Sequence, residues 1–391
     1  MEKGPFFHTA IIGAGASGLF CAGSFDAPKI VLDANKEPAR KVSVSGGGKC
    51  NFSNRFISAA DYLSQNKHFC KSALAAFKPQ DFTALLDEYH ISWQECENGQ
   101  LFGQKAGDIV RFLVNRARAH HTTLALGVRV LDIEKEPGGF LLNTSDGPVR
   151  AAHVVLACGG LSFPALGASS FGIKMARKFG LSIVEQHPVL CGLSFDKSLR
   201  GLGETLSGSS VNAVVRQGKK SFQGPLLFTH EGVSGPAVLK LSLFWQPSEP
   251  VEIDFLPGLN AAEMLAAHKN STQTVSGVFS SYLPHKMAKT LLAACDGPLA
   301  QATRAQLQTA VQTLHHFTFS PAATAGYTKA EATAGGIDTR ALCPSTMEVR
   351  SVPNLFITGE LMDVTGNLGG FNLHWAWASG FVAGQALGRR F

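Results

Sequence analysis

The first apolar run, His8-Thr9-Ala10-Ile11-Ile12, is short and nearly unbroken, which predicts a buried strand. A glycine-rich turn follows, and Leu19-Phe20-Cys21-Ala22 opens a helix. Ile30-Val31-Leu32 repeats the buried-strand pattern and ends at Asp33. Between residues 55 and 121 the period lengthens. Phe69, Ala73, Ala76 and Phe77, then Phe82, Leu85, Leu86 and Tyr89, then Ile109, Phe112, Leu113 and Ala117 recur at helical spacing, with Trp93 and Phe102 in short strands between them. These stripes read as core. Residues 124 to 143 alternate as hairpin strands around Pro137-Gly138-Gly139, and His153-Val154-Val155-Leu156 is another buried strand. From 190 to 256 short alternating strands such as Val211–Arg216 are separated by Gly, Ser and Pro. Residues 260 to 312 are helical, with breaks at Pro284 and Gly297-Pro298. Strands resume near Phe317, and the chain closes on the strand Leu355-Phe356-Ile357 and an apolar helix, Leu373 to Leu387.

The turn after the first strand carries chemistry. Gly13-Ala14-Gly15-Ala16-Ser17-Gly18 has G-x-G-x-x-G spacing. The first glycine permits the tight turn, the second lets a pyrophosphate approach the backbone, and the third lets helix and strand pack closely. The helix start offers unpaired N–H groups and a partial positive charge to phosphates. Asp33, followed by Ala34, stands 20 residues after Gly13, where an acid can hold a ribose diol. Strand, glycines, helix and acid in that order predict dinucleotide binding. A second glycine cluster follows a polar turn containing Arg40 and Lys41. Ser45-Gly46-Gly47-Gly48-Lys49-Cys50-Asn51 costs too much backbone entropy for a helix or strand and reads as a loop laid against a ligand.

Composition narrows the class. In 391 residues, 45% hydrophobic and 16% charged, there is material for several packed domains and little tendency to disorder. The net charge of +6 is mild, and no Lys/Arg run exceeds a dipeptide, so no nucleic-acid partner is expected. Eight scattered cysteines without a C-x-x-C pair indicate neither a disulfide framework nor a metal site. The N-terminal region lacks a signal-peptide pattern and no apolar run approaches a membrane span, so a cytoplasmic enzyme with no membrane partner is expected.

The stretch Lys41 to Asn54 resembles the corresponding loop of the BaiN-like (aminoacetone oxidase-type) FAD-dependent oxidoreductases, bacterial flavoproteins with a glutathione-reductase-like fold. The likeness returns at Ala157-Cys158-Gly159-Gly160, at Pro225 to Ala237, at Ala334-Gly335-Gly336-Ile337 and at the C-terminal segment, and so covers nearly the whole chain. It implies an α/β, Rossmann-like FAD-binding domain assembled from both chain ends, with an inserted small β-barrel-like domain and a helical lobe. The boundaries read as 1–190 and 317–391 for the FAD domain, 191–256 for the β insert and 257–316 for the helical lobe. By resemblance, Arg129 and Val130 flank the adenine, Ala157, Cys158, Gly159 and Gly160 lie against the dinucleotide, and Gly359 and Glu360, with Asp363 nearby, hold the ribityl chain. Gly369, Gly370, Phe371 and Asn372 begin a helix whose positive end can face the flavin edge where negative charge gathers on reduction. Cys158 has no neighbouring cysteine in sequence and reads as packing. His230 and Glu231 are the acid–base candidates outside the flavin loops.

The expected activity is a FAD-dependent oxidoreductase passing hydride through flavin N5 between NAD(P)H or oxygen and a small organic substrate. No second glycine fingerprint occurs, so NAD(P)H would dock transiently. The alternative is a non-turnover flavoprotein serving as a redox sensor or docking module. RNA modification, known on related folds, is disfavoured by the absence of a basic stripe or aromatic array. Two departures, a shortened segment before Asp33 and Asp where Glu is frequent, bear on the adenosine end.

Overall fold

A strand apolar on both faces must be covered above and below and paired along both edges. Phe6–Ile12 accordingly takes a central position in the computed structural model, which describes residues 5–96, 98–247 and 249–391. It pairs in parallel with Lys29–Asp33 on one side and Gly147–Leu156 on the other. Lys29–Asp33 pairs in parallel with Thr122–Leu126, and Gly147–Leu156 pairs in parallel with the late strand Leu355–Ile357. An antiparallel hairpin, Val130–Glu136 and Gly139–Thr144, completes the seven-stranded sheet. The register is decisive for function. Ile12 lies opposite both Leu32 and Leu156, and Leu156 lies opposite Ile357. Four parallel strands thus end level, and the turns at Gly13, Asp33, Ala157 and Thr358 share the carboxyl edge where α/β sheets bind ligands.

The C-terminal helix, Phe371–Gly388, is apolar on nearly every face and mostly buried. It lies against the first helix, Ala16–Ala22, and the turn that follows it, through three glycines at every fourth position. A Cβ would come within 2.5 Å of Ser17 O at Gly380, within 2.7 Å of Ser24 Cβ at Gly384 and within 2.9 Å of Phe25 Cβ at Gly388. That spacing puts all three on one stripe and lets the helices touch closely. Phe20, Phe52, Phe77, Phe82 and Trp377 pack ring against ring beside this contact, as the helical stripes at 82–89 and 109–117 anticipate.

By its contacts the chain forms two units, Met1–His187 with Ala332–Phe391, and Pro188–Glu331. The second is built on a seven-stranded sheet that includes the hairpin Ser210–Gln217 and Lys220–Thr229. Its helices, Ala261–Ala267, Val275–Val278, His285–Leu291 and Arg304–His315, place Leu265, Val275, Phe279, Met287 and Leu314 in the same core as Phe228, Ile253 and Phe255. The β segment and the helical segment are therefore one body with one core. Phe317–Phe319 pairs with Val251–Asp254, so the return to the first unit comes at Ala332 and not at 317. Two further readings shift. Thr122–Leu126 is a parallel strand beside Lys29–Asp33, outside the hairpin, and Asn51–Asn54 leaves the glycine loop to pair with Gln100–Gly103. In both cases a partner far along the chain supplies the hydrogen bonds that local alternation cannot reveal.

Candidate functional site

The first glycine turn contains glycines of two kinds. At Gly13, with φ +114°, a Cβ would stand 2.4 Å from Ala157 O, and at Gly18 it would stand 2.0 Å from Gly13 O. The protein's own packing demands both. Gly15 has φ −84°, which any residue adopts, and a Cβ there would meet nothing within 4 Å. The protein's own packing therefore does not require a glycine at this position. Beside it, the first-turn amides of Ala16, Ser17 and Gly18 have no partner four residues back within the helix.

Asp33 ends its strand facing this turn. Its Oδ2 accepts the Ala14 N–H at 2.7 Å, and its Oδ1 accepts the Asn35 N–H at 2.8 Å and the Asn35 amide at 3.0 Å. Arg40 in turn donates to Asn35 Oδ1 at 3.1 Å. A carboxylate has about four lone-pair positions, so Asp33 keeps acceptor capacity after anchoring the turn. Ala34 next to it is exposed.

Arg40–Val44 forms a short helix that carries the second glycine cluster. Gly46 is left-handed (φ +56°) and packs tightly, its would-be Cβ 2.7 Å from Asn51 N. Gly47 and Gly48 are also left-handed and face open space. Lys49 is exposed, whereas the Ser45 hydroxyl turns inward and donates to Val42 O at 2.8 Å. Cys50 is buried, which pushes its thiol up to about 12. The Asn51 amide faces Gln100 at 3.2 Å.

A network absent from the sequence reading joins this cluster to the late strands. Lys41 Nζ donates to Glu360 Oε2 at 2.8 Å, and the Thr333 N–H donates to Glu360 Oε1 at 2.8 Å. Thr333 Oγ1 accepts the Leu161 and Ser162 N–H groups at 2.9 and 3.1 Å. Gly160 fits between them, its would-be Cβ 2.6 Å from Thr333 Oγ1 and 3.0 Å from Glu360 Cδ. Gly159 (φ +71°) faces open space. The only sequence signal for Thr333 is its place in the small-residue run Ala332-Thr333-Ala334-Gly335-Gly336, which forms a fully buried strand. Cys158 donates weakly to Ile12 O at 3.6 Å, and burial pushes its thiol up to about 12, which suits packing and not redox exchange. Ala157 is buried behind it.

The C-terminal residues divide by what their polar groups already bind. The Gly359 N–H donates to Ser379 Oγ at 3.0 Å, and Gly359 O accepts the Trp375 indole N–H at 3.1 Å. Thr358 donates to Ser17 Oγ at 3.2 Å, fastening the late strand to the first helix. Gly370 (φ +96°) leaves 2.2 Å between a would-be Cβ and Ser53 O. Asn54 donates to Gly369 O at 3.2 Å, and Tyr62 donates to Phe371 O at 2.9 Å. Asn372 clamps Gly366 by both its backbone groups, at 2.8 and 3.0 Å. Asp363 accepts the Gln65 N–H at 2.8 Å, and burial raises its carboxyl above the usual range. Asp363 and Asn372 thus hold backbone turns. Val130 is buried at the start of its strand, and exposed Arg129 donates its N–H to Ser145 Oγ at 3.1 Å.

His230 and Glu231 belong to the second unit, in the turn between Lys220–Thr229 and Gly232–Ser234. Both side chains are exposed. Glu231 O accepts the Phe195 N–H at 2.8 Å, which ties the backbone of this turn to the neighbouring segment. Among the described residues no group of His, Cys, Asp and Glu is placed to hold a metal ion, and no helix is long and apolar enough to cross a membrane.

Comparison with known proteins agrees with this architecture. Residues 7–386 match the HI0933-like protein Rossmann domain family. A ribosomal RNA dihydrouridine synthase of Escherichia coli K12 is 40% identical over 391 residues, covering 97% of this chain and 98% of that protein. A 3-dehydro-bile acid delta(4,6)-reductase of Clostridium scindens is 27% identical, covering 97% and 98% of the two chains. Among solved structures, the 3-ketosteroid-delta4-(5alpha)-dehydrogenase of Rhodococcus jostii RHA1 shares the fold at a TM-score of 0.52 and 14% identity, with 99% of this chain and 98% of that one aligned. With a family match spanning nearly every residue, the chain belongs to the HI0933-like Rossmann family and is an FAD-dependent oxidoreductase.

Proposed function

We propose that this protein reduces uridine to dihydrouridine in ribosomal RNA. The observation that carries the reading is 40% identity, over essentially the full length of both chains, to a ribosomal RNA dihydrouridine synthase. In this reaction the uracil C5=C6 double bond gains a hydride at one carbon and a proton at the other, and a nicotinamide NAD(P)H is oxidised. The reading departs from the expected small organic substrate without nucleic acid. A basic stripe is a property of a folded surface and need not appear as a run in sequence.

The residues present fit the flavin nucleotide. Gly15 lacks a side chain that nothing in the protein excludes, and Gly47, Gly48 and Gly159 are likewise open. On this reading the amides of Ala16 to Gly18 receive the pyrophosphate, and Asp33 takes the ribose diol. Arg40, Ala34, Arg129 and Val130 flank the adenosine end. Ser45 to Asn51 and the start of the C-terminal helix enclose the flavin end. When bound, the flavin supplies a ring that accepts and donates hydride. Lys41 and Glu360 act by clamping the glycine loop to the late strands, and the helix start at Gly370 and Phe371 favours negative charge nearby. His230 and Glu231, exposed in their turn of the second unit, are the acid–base candidates to be tested as the proton source.

The test is incubation of the purified yellow protein with unmodified rRNA transcript and NADH or NADPH, followed by mass spectrometry of nucleosides. Dihydrouridine at a defined position supports the reading, and NAD(P)H-fuelled turnover without any dihydrouridine refutes it. Two substitutions probe the roles. Glu360→Ala strands the buried Thr333 N–H and frees Lys41, so it should lower stability by about 1–3 kcal/mol and weaken FAD retention; an unchanged melting curve and FAD content would contradict the clamp. His230→Ala removes an exposed side chain, so FAD content should hold while dihydrouridine formation slows about 10²-fold or more. An unchanged rate leaves Glu231 as the donor to be tested in the same assay.

A further inference from the structure

Resting on the rRNA reading, we propose that the helical part of the second unit carries a binding cleft for an unpaired nucleobase of the RNA. The cleft has a volume of about 400 Å³ and is formed by the helix Ala261–Ala267, the short helix Val275–Val278 and the turn after it. Its apolar lining comes from Met264 and buried Val278. Tyr282 stands at it with 51% of its surface exposed, an open aromatic face.

Four further polar residues, Gln273, Ser281, Tyr282 and His268, line the cleft with hydrogen-bonding capacity left over among the described residues. The Gln273 amide, the Ser281 hydroxyl and the Tyr282 hydroxyl make no hydrogen bond among the described residues. His268 bonds Met264 O through Nδ1 at 2.8 Å and keeps Nε2 free. The ring and the polar groups together match the edge and face of a base. Unpaired RNA bases are recognised in this way, by stacking on aromatic rings and by hydrogen bonds to their edges.

Charge selects a base over a phosphate. No Lys or Arg lines the cleft, and Glu263 does. Glu263 accepts one hydrogen bond, from Asn260 at 2.8 Å, and its remaining lone pairs would repel a phosphate but accept the amino group of a base. The elements that form the cleft also send Leu265, Val275, Phe279 and Leu283 into the buried core of the second unit.

Tyr282 is exposed and unbonded, so its replacement leaves the fold intact. The experiment measures binding of the FAD-loaded protein to unmodified rRNA transcript, with Tyr282→Ala and Tyr282→Trp compared to the parent at several salt concentrations. The expected result is that Tyr282→Ala binds about fivefold or more weakly, as loss of one base stack implies, while Tyr282→Trp binds like the parent. FAD content should be equal in all three. The slope of log Kd against log salt should stay the same, because stacking releases no counterions. Parent binding with an undiminished Tyr282→Ala variant overturns the cleft and leaves the rRNA reading standing. A parent that neither binds nor reduces the transcript overturns both.

Discussion

Replacing Gly15 with valine should give a protein that folds normally and is colourless. The backbone there is already in a conformation open to any residue, and a Cβ would meet nothing within 4 Å. Thermal unfolding of the apoprotein should therefore be nearly unchanged. The branched side chain would occupy the approach path to the first-turn amides, and FAD affinity should fall at least about a hundredfold, roughly 2.7 kcal/mol. Gly18→Ala makes the opposite pair of changes. Its Cβ would lie 2.0 Å from Gly13 O, so strand and helix must separate, and stability should drop by about 1–3 kcal/mol even without cofactor. Absorbance of the purified variants and melting of the apoproteins separate the two. A yellow Gly15→Val protein with full occupancy would remove the cofactor assignment of this turn.

The second large effect is acid destabilisation through His374. This histidine is fully buried on the C-terminal helix. Its Nε2 lies 3.1 Å from Phe77 O, to which it donates, and its Nδ1 lies 2.9 Å from Ser53 Oγ. Burial lowers its pKa to about 4, from an ordinary value of 6.5. The unfolded chain therefore takes up a proton before the folded one does. The contribution to stability is complete above pH 6.5, declines as pH falls through the interval, and is exhausted below about pH 4. The loss amounts to about 3 kcal/mol at about 1.4 kcal/mol per pH unit. His153, lowered to about 4 by burial and by the neighbouring His8, adds a loss of the same sign. Denaturant melts at several pH values should show this decline. His374→Gln keeps a donor and an acceptor and cannot titrate, so its stability should vary less with pH. An equally steep decline in that variant would place the acid sensitivity elsewhere.

Much of the local structure at the candidate site was readable because its parts lie close together in the chain. G-x-G-x-x-G followed by an acid describes one strand–turn–helix–strand unit, and all its members fall within Gly13 to Asp33. The left-handed Gly47 and Gly48 likewise announce themselves by composition. Thr333 and Gln100 did not, because neither residue type nor spacing marks a side chain whose partners lie far away in the chain. The glycine stripe at 380, 384 and 388 had a visible signal, a four-residue repeat, that apolarity alone obscured. The break between β insert and helical lobe failed for the reason that composition changes where period changes, whereas a domain ends where a core ends.

The sequence by itself determined the first glycine turn, the order of strands and helices at both ends, and the use of a C-terminal helix to complete the first unit. These follow from short-range periodicity and from the backbone freedom of glycine, both of which are written within a few consecutive residues. Only the tertiary structure decided which polar groups remain free. Asp363 and Asn372 were spent on backbone turns, Glu360 was shared between Lys41 and Thr333, and among the described residues the side chains of Gln273 and Tyr282, which line the cleft, were left without a hydrogen bond. A side chain's availability depends on whatever the fold brings within about 3 Å of it, and that distance is set by packing across the whole chain.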